Sequence, residues 1–149
     1  MDELAFELFQ LASKGYCCTQ CMVKMIMEME EKENPDLIRA MGGLCNGIGN
    51  SQKNCGVLTG AIAVFGLYAG KGEDHEYAKA GYDRMVKDYM EWFEERNGSL
   101  DCMDLIGVSL FKNTDRSMTF PVKCGELIKE GFLQMNKILR KNGYVPGER

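Results

Sequence analysis

The stretch Met41–Gly70, MGGLCNGIGNSQKNCGVLTGAIAVFGLYAG, decides how this chain of 149 residues is read. From Gly56 to Gly70 it carries no charged residue. Val57, Leu58, Ala61, Ile62, Val64, Phe65, Leu67 and Tyr68 leave a helix without a polar face, and such a helix is buried on every side. A membrane span needs about 20 apolar residues, and this run is shorter and rich in glycine. The stretch therefore predicts the central helix, over about 55–69, of a soluble all-α domain. Just before it lies a Gly/Asn/Ser loop bracketed by Cys45 and Cys55. Asn54 is the expected N-cap. That would put Cys55 in the first turn, where unpaired N–H groups and the helix dipole favour a thiolate.

The flanks read as helices that cover this one. Asp2 caps a first helix with Leu4, Leu8, Leu11 and Ala12 in register, stopped by Gly15. A second, from about Cys18 to Glu31, places Cys18, Met22, Met25, Ile26 and Met29 on one face. Methionines in such a stripe fill a core far more often than they bind soft metals. Pro35 opens a short helix that ends at Met41. Beyond the central helix, Gly70-Lys71-Gly72 makes a turn. A long amphipathic helix is expected from Glu73 to about Arg96, burying Tyr82, Met85, Tyr89, Trp92 and Phe93. Ser99 or Asp101 then caps a short helix, Cys102–Ile106, stopped by Gly107. The segment 108–118 reads as a loop or a brief extended piece. The last helix follows Pro121 and lines up Cys124, Leu127, Ile128, Phe132, Met135, Ile138 and Leu139. No alternating run, repeat or linker interrupts the pattern. The expectation is an all-α, single-domain bundle over 1–149, with six or seven helices around a buried central helix.

Composition removes several functions. A net charge of -4 and a pI near 5.1 argue against nucleic acid, which calls for a basic face. No polybasic run suggests a membrane surface. The start, MDELAFELFQ, lacks the basic region of a secretory signal, so a cytoplasmic protein is expected. Gly47-Ile48-Gly49 has neither a preceding strand nor the third glycine or lysine of a phosphate loop. His75, the one histidine, reads as a surface residue, and no Cys-x-x-Cys-His is present to attach haem. The acidic residues sit on solvated helix faces and nominate no acid/base pair.

What remains is seven cysteines. In a reducing compartment these are read as core residues, metal ligands or redox groups rather than as staples. Cys18 and Cys21 form a Cys-x-x-Cys at a helix start, without the strand–helix context of a thioredoxin motif. Cys45, Cys55, Cys102 and Cys124 also stand at or near helix ends, which is unusual for filler. Thiolates converging from separate segments are what an iron–sulfur or zinc centre requires.

At these residues the chain resembles a family of small redox-active proteins named for a C–GCAxxG–C–C cysteine pattern. The match runs through Gly15-Tyr16-Cys17-Cys18-Thr19-Gln20, Gly47-Ile48-Gly49 and Cys55-Gly56-Val57-Leu58-Thr59-Gly60-Ala61 to Cys102 and Cys124. Val57 stands where alanine is usual, Cys-Gly replaces the order in the family's name, and Cys17, Cys21 and Cys45 are extra. The resemblance implies redox or iron–sulfur chemistry at Cys18, Cys55, Cys102 and Cys124. Two mechanisms stay open. In one, these thiolates ligate an iron–sulfur cluster (zinc less readily), with Cys45 as a substitute ligand. In the other, Cys18 and Cys55 lead thiol–disulfide exchange. Either makes the chain an oxidoreductase or an electron-transfer protein, whose redox partner the sequence does not name. A homodimer is one possible assembly. The competing reading is a non-catalytic helical interaction module with structural, buried cysteines.

Overall fold

The computed structural model describes residues 2–106 and 122–149. The segment read above as the loop 108–118, with Gly107 and Pro121 at its ends, lies outside the described residues. Among the described residues are seven α-helices and no strand. They are α1 (Glu3–Ser13), α2 (Cys18–Met29), α3 (Pro35–Met41), α4 (Gly56–Ala69), α5 (Tyr82–Asn97), α6 (Cys102–Leu105) and α7 (Val122–Lys141). A single 3-10 turn, Gly42–Leu44, follows α3. The all-α bundle read from the sequence is the fold. Among the described residues no helix is long and apolar enough to cross a membrane.

Helix α4 is the centre, packed against α2, α5 and α7. Ala61, Val64, Phe65 and Ala69 are fully buried, and no residue of the helix is exposed. One stripe, Thr59, Ile62, Ala63, Gly66 and Leu67, is only half-buried. The helix is thus not covered equally on every side. Beside that stripe the packing is close because glycine permits it. A Cβ on Gly60 would lie 2.7 Å from Cβ of Met22, so the backbones of α2 and α4 approach with no side chain between them. The buried stripe of α2, Met22, Val23, Met25 and Ile26, fills the other side of that contact.

Local chemistry sets the helix ends. Asp2 accepts the Ala5 N–H at 2.8 Å and caps α1, and Asn34 accepts the Leu37 N–H at 3.1 Å ahead of Pro35. The long helix expected from Glu73 begins only at Tyr82. Lys71 Nζ donates to the carbonyls of Glu73, Asp74 and Glu76 at 3.1, 2.9 and 2.8 Å, tying that stretch into an irregular loop. The Glu76 carboxylate accepts the N–H groups of Gly72 and Glu73, and Gly81, at φ 87°, turns the chain into α5. Side-chain capture of the backbone outweighed helix propensity here.

Where α1 meets α2, the Glu7 carboxyl faces that of Glu28. Burial first, then that contact and the charges of Glu28 and Glu3, push the Glu7 carboxyl up to about 7 from 4.5. A carboxyl raised on folding contributes its full stability below the unfolded value and loses it as pH rises through the folded one. Glu7→Gln is therefore expected to match the parent protein near about pH 5 and to exceed it above about pH 8. Urea midpoints at the two pH values check this, and a gap independent of pH would rule out a raised Glu7 carboxyl.

Candidate thiol centre

Four cysteines stand where helices begin. Cys18 opens α2, Cys55 caps α4, Cys102 opens α6 and Cys124 lies in the first turn of α7. All four are buried, at 5–7 % exposure. The N-cap of the central helix is Cys55 itself and not Asn54, one position from the sequence expectation.

Two local features bring these helix starts together. The first is Gly56. A Cβ there would sit 2.5 Å from Thr19 Oγ1 and closer still to Cys18 Sγ, so the Cys18 sulfur rests on the bare backbone at the start of α4. The second is a short antiparallel bridge between Asn54 and Asp101. Across it the Cys55 N–H donates to Leu100 O at 2.9 Å, and the Cys102 N–H donates to Lys53 O at 2.7 Å.

The four sulfurs act on one another's charge. A charge on Cys18 raises the pKa of Cys55, of Cys102 and of Cys124. Cys102 raises Cys55, and both of these raise Cys124. Every pair among the four is thus within electrostatic reach. Burial is the largest cause at each one. It pushes Cys55 up to about 12 and Cys102 up to about 11, and it raises Cys18 and Cys124 as well. Backbone N–H groups oppose it, those of Val57 and Leu58 at Cys55 and those of Asn46 and Thr19 at Cys18. The helix-start donors expected to favour a Cys55 thiolate are present, but desolvation outweighs them. Near neutral pH these sulfurs are thiols.

The other three cysteines border this set, and Cys21 too is raised by burial and then by a charge on Cys18. Cys21 is fully buried, its thiol directed at Tyr16 O at 3.8 Å, and burial pushes it up to about 12. Cys17 and Cys45 are joined in a disulfide with Cα atoms 6.1 Å apart. The sequence reading had set staples aside and offered Cys45 as a substitute ligand; in this bond Cys45 would ligate only after reduction. Among the described residues no three His, Cys, Asp or Glu side chains are arranged to hold a metal ion. The donor set has the number of thiols an iron–sulfur or zinc site needs. His75 is exposed, with Nδ1 3.5 Å from Glu73.

An unusual loop meets the centre at Asn46. Asn46, Gly47, Ile48, Gly49 and Asn50 all take positive φ, between 54° and 71°. A run of this kind is rare because left-handed turns cost non-glycine residues roughly 1–2 kcal/mol each. It closes through bonds such as Gly49 N–H to Gly43 O and Lys53 N–H to Gly47 O, both 2.9 Å. Its first residue supplies the Asn46 N–H that faces Cys18.

Two hydroxyls escaped the sequence reading as site residues. Thr19 Oγ1 and Tyr89 OH are fully buried and have no hydrogen-bond partner among the described residues that satisfies normal geometry. Thr19 faces the Cys18 sulfur, and Tyr89 is within electrostatic reach of Cys55. Periodicity marked Tyr89 as buried, but nothing in the pattern said that its hydroxyl would be left without a partner. A buried unpaired hydroxyl costs about 1–3 kcal/mol. Tyr89→Phe, which keeps the edge-on contact with Phe65, is expected to raise stability by about 1 kcal/mol. A lower denaturant midpoint would mean that the hydroxyl has a partner in solution.

Fold and thiols together define an all-α, cysteine-rich protein whose four helix-start sulfurs share one buried region. The chain belongs to the family described as "Putative redox-active protein (C_GCAxxG_C_C)", whose model matches residues 16–138. No curated protein and no solved structure gives a match.

Proposed function

We propose that the protein is a thiol–disulfide redox protein in which Cys18 is the nucleophile and Cys55 its partner. The observation that carries this is the position of Cys18. It acts electrostatically on each of Cys55, Cys102 and Cys124, and its own sulfur is the one that Asn46 N–H and Thr19 face. The Cys18 thiolate attacks a disulfide R–S–S–R′, either that of a small molecule or one within the protein, and releases R′S⁻. Cys55 then attacks Cys18 Sγ in the mixed disulfide and releases RS⁻. The two thiol protons end on the released thiolates, and one protein disulfide replaces the one reduced. Burial keeps the resting thiols protonated, which slows adventitious oxidation, because the thiolate is the reactive form. Cys102 and Cys124 supply a second dithiol within reach.

The number of thiols favours one other reading. Exchange needs a pair, whereas four is the complement of an iron–sulfur or zinc centre. Anaerobic purification followed by iron, zinc and labile-sulfide assays, then equilibration with dithiothreitol in varied oxidation states, separates the two. Exchange predicts metal-free protein and a Cys18–Cys55 disulfide in oxidising buffer, abolished by Cys18→Ser. Stoichiometric metal lost on each single Cys→Ser change would replace exchange with ligation. No metal and no reactive pair would leave the interaction module.

A further inference from the structure

We propose that the Cys17–Cys45 disulfide is the port through which the buried thiols exchange electrons with an outside partner, by way of Cys18; this rests on the exchange reading above. The problem it answers is access. The four buried sulfurs belong to residues only 5–7 % exposed, and a disulfide on another protein could not reach them. Cys17 and Cys45 are half-buried, at the edge of the same region.

The chain sets the port against its neighbour twice over. Cys18 follows Cys17 in sequence, and its sulfur meets the N–H of Asn46, the residue after Cys45. Cys18 Sγ is therefore placed next to the disulfide by both chain segments that form it. Covalent geometry then chooses the sulfur attacked. Neighbouring Cα atoms are 3.8 Å apart, short of the roughly 4.4–6.8 Å that a relaxed disulfide spans. A Cys17–Cys18 bond is thus disfavoured, and Cys18 attacks Cys45. Cys17 is a suitable leaving group, since it sits at the N-cap of α2 in a capping box with Gln20, whose backbone N–H its sulfur faces.

Two exchanges move the oxidation inward. Cys18 bonds to Cys45 and frees the Cys17 thiolate, which takes up the proton lost by Cys18. Cys55 then bonds to Cys18 and frees the Cys45 thiolate, which takes up the proton lost by Cys55. The rim pair is now a dithiol and the buried pair a disulfide, a transfer of two electrons outward. A disulfide-bearing partner reoxidises the rim, its own disulfide becoming two thiols. A dithiol partner drives the same steps in reverse.

The test starts from fully reduced protein given glutathione disulfide, quenched in acid at intervals, alkylated and mapped by mass spectrometry. Cys17–Cys45 is expected first, Cys18–Cys45 as a trapped intermediate, and Cys18–Cys55 last. In Cys45→Ser, formation of Cys18–Cys55 should fall at least tenfold with glutathione disulfide and be unchanged with diamide, a small neutral oxidant that needs no port. Equal rates in both proteins with glutathione disulfide would overturn the port and leave exchange standing. No Cys18–Cys55 with either oxidant would overturn exchange and the port with it. Should Cys45→Ser not fold, the unmodified protein decides. A buried pair formed before the rim pair, or a rim pair that never passes through Cys18–Cys45, overturns the proposal.

Discussion

Ala61→Asp is expected to cost about 3–5 kcal/mol, the range for an uncompensated buried charge, and to lower the melting temperature by about 10 °C or more. Ala61 has no exposed surface, and the helix that carries it touches α2, α5 and α7. Its environment is apolar, with Val57, Leu58, Val64 and Phe65 on the same helix. The carboxylate must therefore enter unpaired or take up a proton, and either outcome is unfavourable. Ile62→Lys, one residue on, is the informative control. Ile62 lies on the half-buried stripe of α4, where a lysine stem can follow the helix surface while its ammonium reaches water. Its loss should be nearer about 1 kcal/mol, as for an ordinary substitution. Equal losses at both positions would mean that α4 is covered on all sides. An Ala61→Asp protein with an unchanged midpoint would remove α4 from the centre of the fold.

That contrast marks how far periodicity alone could go. The charge-free run 56–70 identified the central helix, because the fourteen residues Gly56–Ala69, without a polar face, have no stable place at a surface. It could not say which stripe would be least covered, since that depends on the partners and not on α4 itself. The start of α5 was misread for a related reason. Glu73 to Ala80 has helix-forming residues, and only the structure shows Lys71 and Glu76 drawing the backbone of that segment onto themselves.

The thiols were legible by position but not by state. Placement at helix starts could be read because glycines, asparagines and aspartates punctuate the chain beside Cys18, Cys55 and Cys102. Whether such a thiol ionises depends on the balance of N–H donors against desolvation, and the depth of Cys55 is a tertiary property that its neighbours in sequence do not encode. The Cys17–Cys45 bond was not anticipated either. Their pairing across 28 residues depends on how the 42–53 loop folds back over α2, and that loop takes a left-handed path that few sequences adopt.

Gly56→Ala is the second large effect expected, and it tests the centre as well as the fold. The added Cβ would fall against Cys18 Sγ, 2.5 Å from Thr19 Oγ1 and 3.2 Å from the Thr19 backbone nitrogen. The sulfur could rotate, but the nitrogen belongs to the first turn of α2 and cannot move alone. The start of α2 must therefore lift from α4, at a cost of about 1–3 kcal/mol for overpacking. Gly60→Ala makes a comparable clash one turn further on, 2.7 Å from Cβ of Met22, and gains back up to about 1 kcal/mol of helix propensity. Both variants should lower the denaturant midpoint. Only Gly56→Ala should also separate Cys18 from Cys55, and so reduce at least tenfold the rate at which diamide forms the Cys18–Cys55 disulfide. A similar fall in both variants would tie that rate to general loosening of the α2–α4 contact. No fall in either would mean that Cys18 does not depend on Gly56 for its place beside Cys55.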